Sequence, residues 1–192
     1  MSNMYRSTED RRIRRTKRML QQALAKLMSQ KEFKDITVKD ITDLADLNRS
    51  TFYLHYQDTY DLLEKVENEM IGRFEEMVDD YHSTPNNFSV YKIVDQAFDY
   101  LEENMEICRP LFLSNTNSPF LEKLMNVIIE KGFTRQKEVR GDVDPEKLDY
   151  QLQFLAYGIV GALRKWFREE GYLSKEQIVN LLDQMITGVM EI

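Results

Sequence analysis

The sequence predicts an all-α protein, and three observations carry that expectation. Apolar residues recur at steps of three and four along most of the 192 residues, the spacing of one face of a helix. No segment alternates apolar and polar residues as a half-buried strand does. The 4 prolines fall at helix boundaries or in linkers, and only 7 glycines interrupt the chain. The expected organisation is a small helical head over residues 1–57 and a larger helical body over 58–192.

In the first segment Ile13, Leu20, Leu24 and Leu27 share one helix face, and Arg11, Arg12, Arg15 and Arg18 lie mostly off it. Thr37-Val-Lys-Asp40 reads as a capping box opening a short second helix, with Val38, Ile41, Leu44 and Ala45 inward. Asp46-Leu-Asn48 interrupts it, and Asn48 is placed to cap a third helix running through Tyr56. Asp58 is placed to cap a fourth, in which Leu62, Val66, Met70, Phe74, Met77 and Tyr81 repeat; to Tyr81 it would be about 36 Å long.

A turn is expected from His82 to Asn87, followed by a helix over 88–104 with Val90, Val94, Ala97, Phe98 and Leu101 on one face. Pro110 is expected to separate that helix from the apolar piece Leu111-Phe-Leu113. Ser118-Pro119 and Asp144-Pro145 each set a capping side chain before a proline at the first helical position. The helix after Asp144 carries Leu148, Leu152, Leu155, Ile159, Leu163 and Trp166 and is expected to end at Gly171. Ser174-Lys-Glu-Gln177 is a further capping box, opening a last helix with Ile178, Leu181, Leu182, Met185, Ile186 and Val189.

Composition narrows the function. Cys108 is the single cysteine, and His55 and His82 are the two histidines. A disulfide framework is thereby excluded, and a structural zinc site disfavoured. The longest uncharged apolar run, Leu155 to Leu163, is nine residues, against about 20 for a membrane span. The basic, polar N-terminus lacks the apolar stretch of a secretory signal. The expectation is a soluble, cytoplasmic protein with no membrane partner. No Gly-rich phosphate loop, nucleophile pair or metal-ligand spacing is present, so neither an enzyme nor a cofactor is expected. Cys108 beside Arg109 leaves two readings, a redox-sensitive thiol or inert packing.

The net charge of −7 conceals an asymmetry. Residues 1–56 hold 12 Lys and Arg against 7 Asp and Glu, and the rest holds 14 against 26. A basic head on an acidic body fits a partner that is a polyanion. Residues 37–56 say which. Two short helices joined by a tight turn form a helix-turn-helix, whose second helix can enter the major groove of DNA. The turn needs a small residue before it (Ala45), a residue tolerating a left-handed backbone (Asp46) and an apolar plug (Leu47). The second helix must bury one side, by Phe52 and Tyr56, and offer on the other Arg49, Ser50, Thr51 and Tyr53. Arg can bond a guanine edge bidentately, and Ser or Thr can reach bases or phosphates.

Thr37-Val-Lys-Asp-Ile41, Ala45-Asp-Leu-Asn-Arg-Ser-Thr-Phe-Tyr-Leu-His-Tyr56 and Asp61-Leu-Leu63 together resemble the DNA-binding domain of TetR-family transcriptional regulators. That family's pattern is Thr-Val-x-x-Ile, Ala-Gly-Val-Ser, Thr-Phe-Tyr-x-His-Phe and Ser-Lys-x-x-Leu-Leu at the same spacings, and the match covers about residues 8–65. Asp46 replaces the usual turn glycine, and Thr59 the usual phosphate-touching lysine. The resemblance implies that Thr37 caps the second helix near the DNA backbone and that Lys39 reaches bases or phosphate. It implies that Asn48 opens a recognition helix in which Arg49, Ser50 and Thr51 face base edges, while Tyr53 and His55 contact phosphates. For His55 a second reading stands beside it, a half-buried ring at the junction with the fourth helix. The N-terminal arginines either touch flanking phosphate or form a solvated face.

Phe154-Leu-Ala-Tyr-Gly-Ile-Val-Gly-Ala-Leu-Arg-Lys-Trp166, followed by a capped helix, is similar to a subgroup that includes regulators of dihydroxyacetone kinase genes. In the family the last two helices pair with a second copy as a four-helix bundle. The resemblance therefore implies a homodimer interface drawn from Phe154, Gly158, Gly161, Ala162, Trp166, Leu181, Met185 and Val189. Alternatively, the two glycines pack inside one chain. Met70, Phe74, Met77, Phe98, Phe112, Met125 and Tyr157 are candidates to line a cavity for a small-molecule effector, with ordinary core packing as the alternative. The expected function is a homodimeric regulator, a repressor by the family's usual mode, on a palindromic double-stranded operator, released or retuned by its effector. A helical co-regulator that binds a protein instead of DNA is the alternative.

Overall fold

The computed structural model describes residues 2–82, 89–113, 119–141, 143–169 and 172–191, which form nine α-helices, one 3-10 turn and no strand. The chain divides into two compact units, Met1–Glu67 and Asn68–Ile192.

The first unit holds α1 (Ser2–Met28), the 3-10 turn Phe33–Asp35, α2 (Val38–Leu44), α3 (Arg49–Tyr53) and the first turns of α4 (Thr59–His82). Leu20 and Leu24 of α1 are fully buried, together with Ile41, Phe52 and Leu62 from the other helices. Each such side chain contributes roughly 1.5–3 kcal/mol by leaving water. Two expected core positions differ. Leu44 is 42% exposed, because α2 buries Val38, Ile41 and Thr42 instead, and Ile13 of α1 is 39% exposed. The Thr42 hydroxyl is satisfied there, donating to the Val38 carbonyl at 2.9 Å. α3 is also shorter than expected, ending at Tyr53 rather than running through Tyr56.

The second unit holds the rest of α4, then α5 (Val90–Glu103), α6 (Met105–Leu113), α7 (Pro119–Arg140), α8 (Pro145–Arg168) and α9 (Lys175–Glu191). α7 packs on α8, α5 on α9, and α6 on α8. Proline opens both α7 and α8, and Asp144 caps α8 by accepting from the N–H groups of Glu146 and Lys147. Before α9, Ser174 and Gln177 cap each other reciprocally at 2.9 and 3.3 Å. Pro110 does not break the chain into two pieces as expected. It lies inside α6, forgoing one intrahelical hydrogen bond while Cys108, Leu111 and Phe112 are buried around it. Helix α8 stops at Arg168, and Gly171, Ser118 and residues 83–87 of the expected turn lie outside the described residues.

The core of this unit is aromatic. Phe112 stacks on Phe167 at 5.0 Å and meets Phe120 edge-on at 5.3 Å, and Trp166 stands edge-on to Phe98 at 5.2 Å. Gly132 lets α7 approach α8 closely, since a Cβ there would lie 2.3 Å from Leu152 Cδ2. Lys175 ties the start of α9 to α5 through Asp95 at 2.9 Å and Asp99, and these two carboxylates raise its pKa.

Candidate nucleic-acid interface and effector cavity

The local sequence explains how α3 is presented. The capping box forms as expected: Thr37 Oγ1 accepts from the Asp40 N–H at 3.2 Å, and Asp40 Oδ2 accepts from the Thr37 N–H at 2.9 Å. The same Oδ2 lies 2.8 Å from Lys31 Nζ. These contacts, Lys31 first, hold the Asp40 carboxyl well below the usual carboxylate range.

At the other end of α2, Leu47 N–H bonds to the Thr42 carbonyl at 3.0 Å and Asp46 N–H to the Asp43 carbonyl at 3.4 Å. This is a Schellman stop, which requires a left-handed residue between them. Asp46 supplies it at φ +53°, the one non-glycine residue with positive φ among those described.

The Asn48 carbonyl accepts from Thr51 and Phe52 and so opens α3. Its side chain makes no capping bond, contrary to expectation, and the residue is exposed. Phe52 and Tyr56 are buried beneath, with ring centroids 5.6 Å apart. Arg49, Ser50, Tyr53 and Leu54 are all exposed, and their i, i+1, i+4, i+5 spacing sets them on one side of the segment. Thr51 and His55 are half-buried, and Thr37 and Lys39 are exposed on and before α2. Partial burial, then the charge of Lys17, lowers the His55 pKa.

Two contributors escaped the sequence reading. Leu54 is 80% exposed, an apolar side chain standing in solvent between polar ones. Lys65 of α4 donates to the His55 carbonyl at 3.2 Å and to Asp61 Oδ2 at 2.9 Å. Its ammonium also lies 5.2 Å from the Tyr56 ring centroid. An apolar residue's exposure and a ten-residue contact leave no mark in local periodicity. Thr59, where the family pattern has lysine, is 8% exposed and points no charge outward. Lys17 and the arginines Arg11, Arg12, Arg15 and Arg18 lie on the exposed side of α1.

In the second unit α5, α7, α8, α9 and the last turns of α4 line a half-open cavity of about 600 Å³. Phe74, Met77 and Phe98 line it. The other expected effector residues are placed elsewhere. Met70 and Phe112 are buried core, Met125 is half-buried off the lining, and Tyr157 is 65% exposed. Cys108 is fully buried, and burial pushes its thiol up to about 12. That protonated thiol fits the inert alternative, since reactivity requires thiolate.

Outside the cavity, Tyr150, Phe154, Tyr157, Gly158 and Gly161 form an exposed stripe on α8, and Leu181 and Met185 are exposed on α9. A Cβ at Gly158 or Gly161 would meet nothing within 4 Å. The intramolecular explanation for these glycines therefore fails. Trp166, expected in this surface, is 8% exposed and donates Nε1–H to the Leu173 carbonyl at 3.1 Å. Ala162 and Val189 are half-buried.

Residues 89–188, more than half of the chain, match the family model of the transcriptional regulator C-terminal region of TetR type. The chain belongs to the TetR family of transcriptional regulators. A curated relative, the uncharacterised HTH-type transcriptional regulator YxbF of Bacillus subtilis (strain 168), is 38% identical over 85 residues. That match takes in 42% of this chain and 21% of the relative, so the chain spans well under two thirds of that protein.

Among solved structures, a TetR transcriptional regulator from Streptococcus agalactiae 2603V has the same fold. Its TM-score is 0.65 at 22% identity, covering 94% of this chain and 98% of that one. The dihydroxyacetone kinase operon activator DhaS gives 0.62 at 20%, covering 92% and 94%. As a member of that family, on the match over residues 89–188, the chain is a transcriptional regulator rather than an enzyme. No helix among its described residues is long and apolar enough to cross a membrane.

Proposed function

We propose that the chain is a homodimeric repressor whose head, residues 1–57, binds a palindromic operator and whose body, residues 58–192, responds to a small molecule. The observation that carries the DNA reading is the exposed side of Arg49, Ser50, Tyr53 and Leu54, backed by buried Phe52 and Tyr56. Arg49 reads a guanine edge, with Asn48, Ser50 and Thr51 beside it at bases or phosphates, and Leu54 packs on a thymine methyl. Thr37, Lys39, Tyr53 and His55 hold the sugar-phosphate strands, which fixes register.

The exposed α8 and α9 surface supports the dimer, because a monomer leaves Phe154, Tyr157 and Met185 in water. Two copies of the head would meet successive major grooves about 34–36 Å apart. An effector in the cavity releases DNA by preferring an arrangement of the dimer that does not match this spacing.

Selection of bound duplexes from a random library tests the reading. A recovered palindrome with a steep loss of affinity on raising salt supports it. Failure to enrich any sequence, with retention of a protein partner instead, overturns it. Transcription from a promoter carrying the palindrome then separates repression from activation.

A further inference from the structure

We propose that the basic stretch of α1, through Arg11, Arg14, Lys17 and Arg18, grips phosphates of the duplex that flanks the operator, outside the bases α3 reads. The inference rests on the operator reading of the head and extends its footprint along the sugar-phosphate backbone.

Composition argues against a merely solvated face. Six of the eight residues from Arg11 to Arg18 are Lys or Arg. From Arg11 to Lys31 there are eight such residues and no Asp or Glu, in a chain whose net charge is −7. Elsewhere exposed bases pair with acids three or four residues away, as Lys65 does with Asp61, Arg73 with Glu76 and Lys165 with Glu169. In α1 those spacings set Arg11 against Arg15 and Arg14 against Arg18, pairs that repel each other and weaken the helix. A polyanion relieves that repulsion.

Geometry places the charge beside the recognition segment. The first fully buried side chain of α1 is Leu20, and every residue from Arg11 to Arg15 is exposed. This part of the helix therefore stands clear of the head's core. Arg11, Arg14, Lys17 and Arg18 follow i, i+3, i+6, i+7 spacing and share one side of it, whereas Arg12 and Arg15 turn to the next. The charge of Lys17 acts on His55 at the end of that segment, so this side continues the surface that carries Tyr53 and His55. From Lys17 back to Arg11 the helix rises about 9 Å, the span of about three phosphates along one strand.

Two duplexes carrying the selected palindrome test this by fluorescence anisotropy. One ends at its last base pair, and the other continues for six base pairs of mixed sequence on each side. The full chain should bind the longer duplex about tenfold or more tightly, with a steeper salt dependence, near 0.9 in slope for each added phosphate. The gain should be the same for every flanking sequence, because phosphates carry no base identity. Arg14→Gln, Lys17→Gln and Arg18→Gln combined should bring the two duplexes within about twofold, with the preference for the palindrome over a scrambled core unchanged. Arg14→Lys with Arg18→Lys should keep most of the gain, since a point charge suffices at phosphate. Arg12→Gln with Arg15→Gln should keep it too, and thermal melting verifies the fold of each variant. A wild type that selects the palindrome without any gain from flanks, or a gain that survives the triple variant, overturns the proposal and leaves the operator reading standing. A gain that varies with the flanking bases overturns it likewise. A wild type that discriminates no core sequence overturns both.

Discussion

Lys65 donates from Nζ to the carbonyl oxygen of His55 at 3.2 Å, tying α4 to the end of the recognition segment. Asp61 Oδ2, which also accepts from the Gln57 N–H at 2.8 Å, holds the same ammonium. This lysine positions the exposed side of α3 without belonging to it. Lys65→Ala should therefore weaken the selected operator about fivefold, the loss of one hydrogen bond of roughly 1 kcal/mol. Lys65→Arg should restore most of it. An equal loss on random duplex would instead mark Lys65 as a direct phosphate contact.

Acid should loosen the head through two carboxylates. Asp40 is held below its ordinary pKa by Lys31 and Thr37, and Asp61 by Lys65 and the Gln57 N–H. A depressed folded-state pKa gives stability that is complete above the unfolded value, about 4, and fades as pH falls below it. Unfolding midpoints should hold from pH 7 to 5 and fall below pH 4. Asp40→Asn should lower the neutral-pH midpoint and flatten that fall. Thr37→Ala, which removes the partner cap, should cost about 1 kcal/mol.

Asp46 stands at φ +53°, where a side chain costs roughly 1–2 kcal/mol and glycine nothing. Glycine's greater freedom in the unfolded chain returns about 0.5–1 kcal/mol of that. Asp46→Gly should thus stabilise the protein by several tenths to about 1 kcal/mol, and Asp46→Val should destabilise it. Denaturant unfolding of the three proteins checks this; a less stable glycine variant would mean that the aspartate side chain contributes more than its backbone strain.

Arg49→Ala should lose about 1–3 kcal/mol of discrimination at one base pair. Leu54 gives a sharper test, because its 80% exposure in the free protein leaves apolar area to bury on a thymine methyl. Replacing thymine by uracil at each operator position should weaken the wild type at one of them. Leu54→Ala should be indifferent there. If every uracil substitution affects both proteins equally, Leu54 does not read the base.

Since Gly161 faces open space, Gly161→Glu should leave monomer folding nearly intact while placing like charges across a symmetric interface. Phe154→Glu should act alike. Sedimentation should show a monomer with retained helicity and a large loss of affinity for the full palindrome. A dimer persisting in both variants would place the interface elsewhere.

The helices were legible because their causes are local. Thr37 with Asp40, Ser174 with Gln177 and Asp144 before Pro145 each lie within a few residues of their partners, and each formed. The side of α3 carrying Arg49 and Ser50 was legible for the same reason, since Phe52 and Tyr56 mark its reverse. Asn48 shows the limit: its type suits a cap, yet its carbonyl rather than its side chain opens α3.

What needed the tertiary structure was partnership between helices. Tyr157 and Trp166 both looked like lining or interface, and packing sent the first to the surface and the second to the core. Lys131, Arg135 and Arg140 line the cavity together with residues of α5, α8 and α9, a grouping that no local pattern marks. The order of residues dictated the all-α class, the capped helix starts and the helix-turn-helix, because backbone hydrogen bonds and apolar periodicity act over a turn or two. Which side chains share a cavity or remain in water depended on how distant helices meet, a choice made by the summed burial of the whole core.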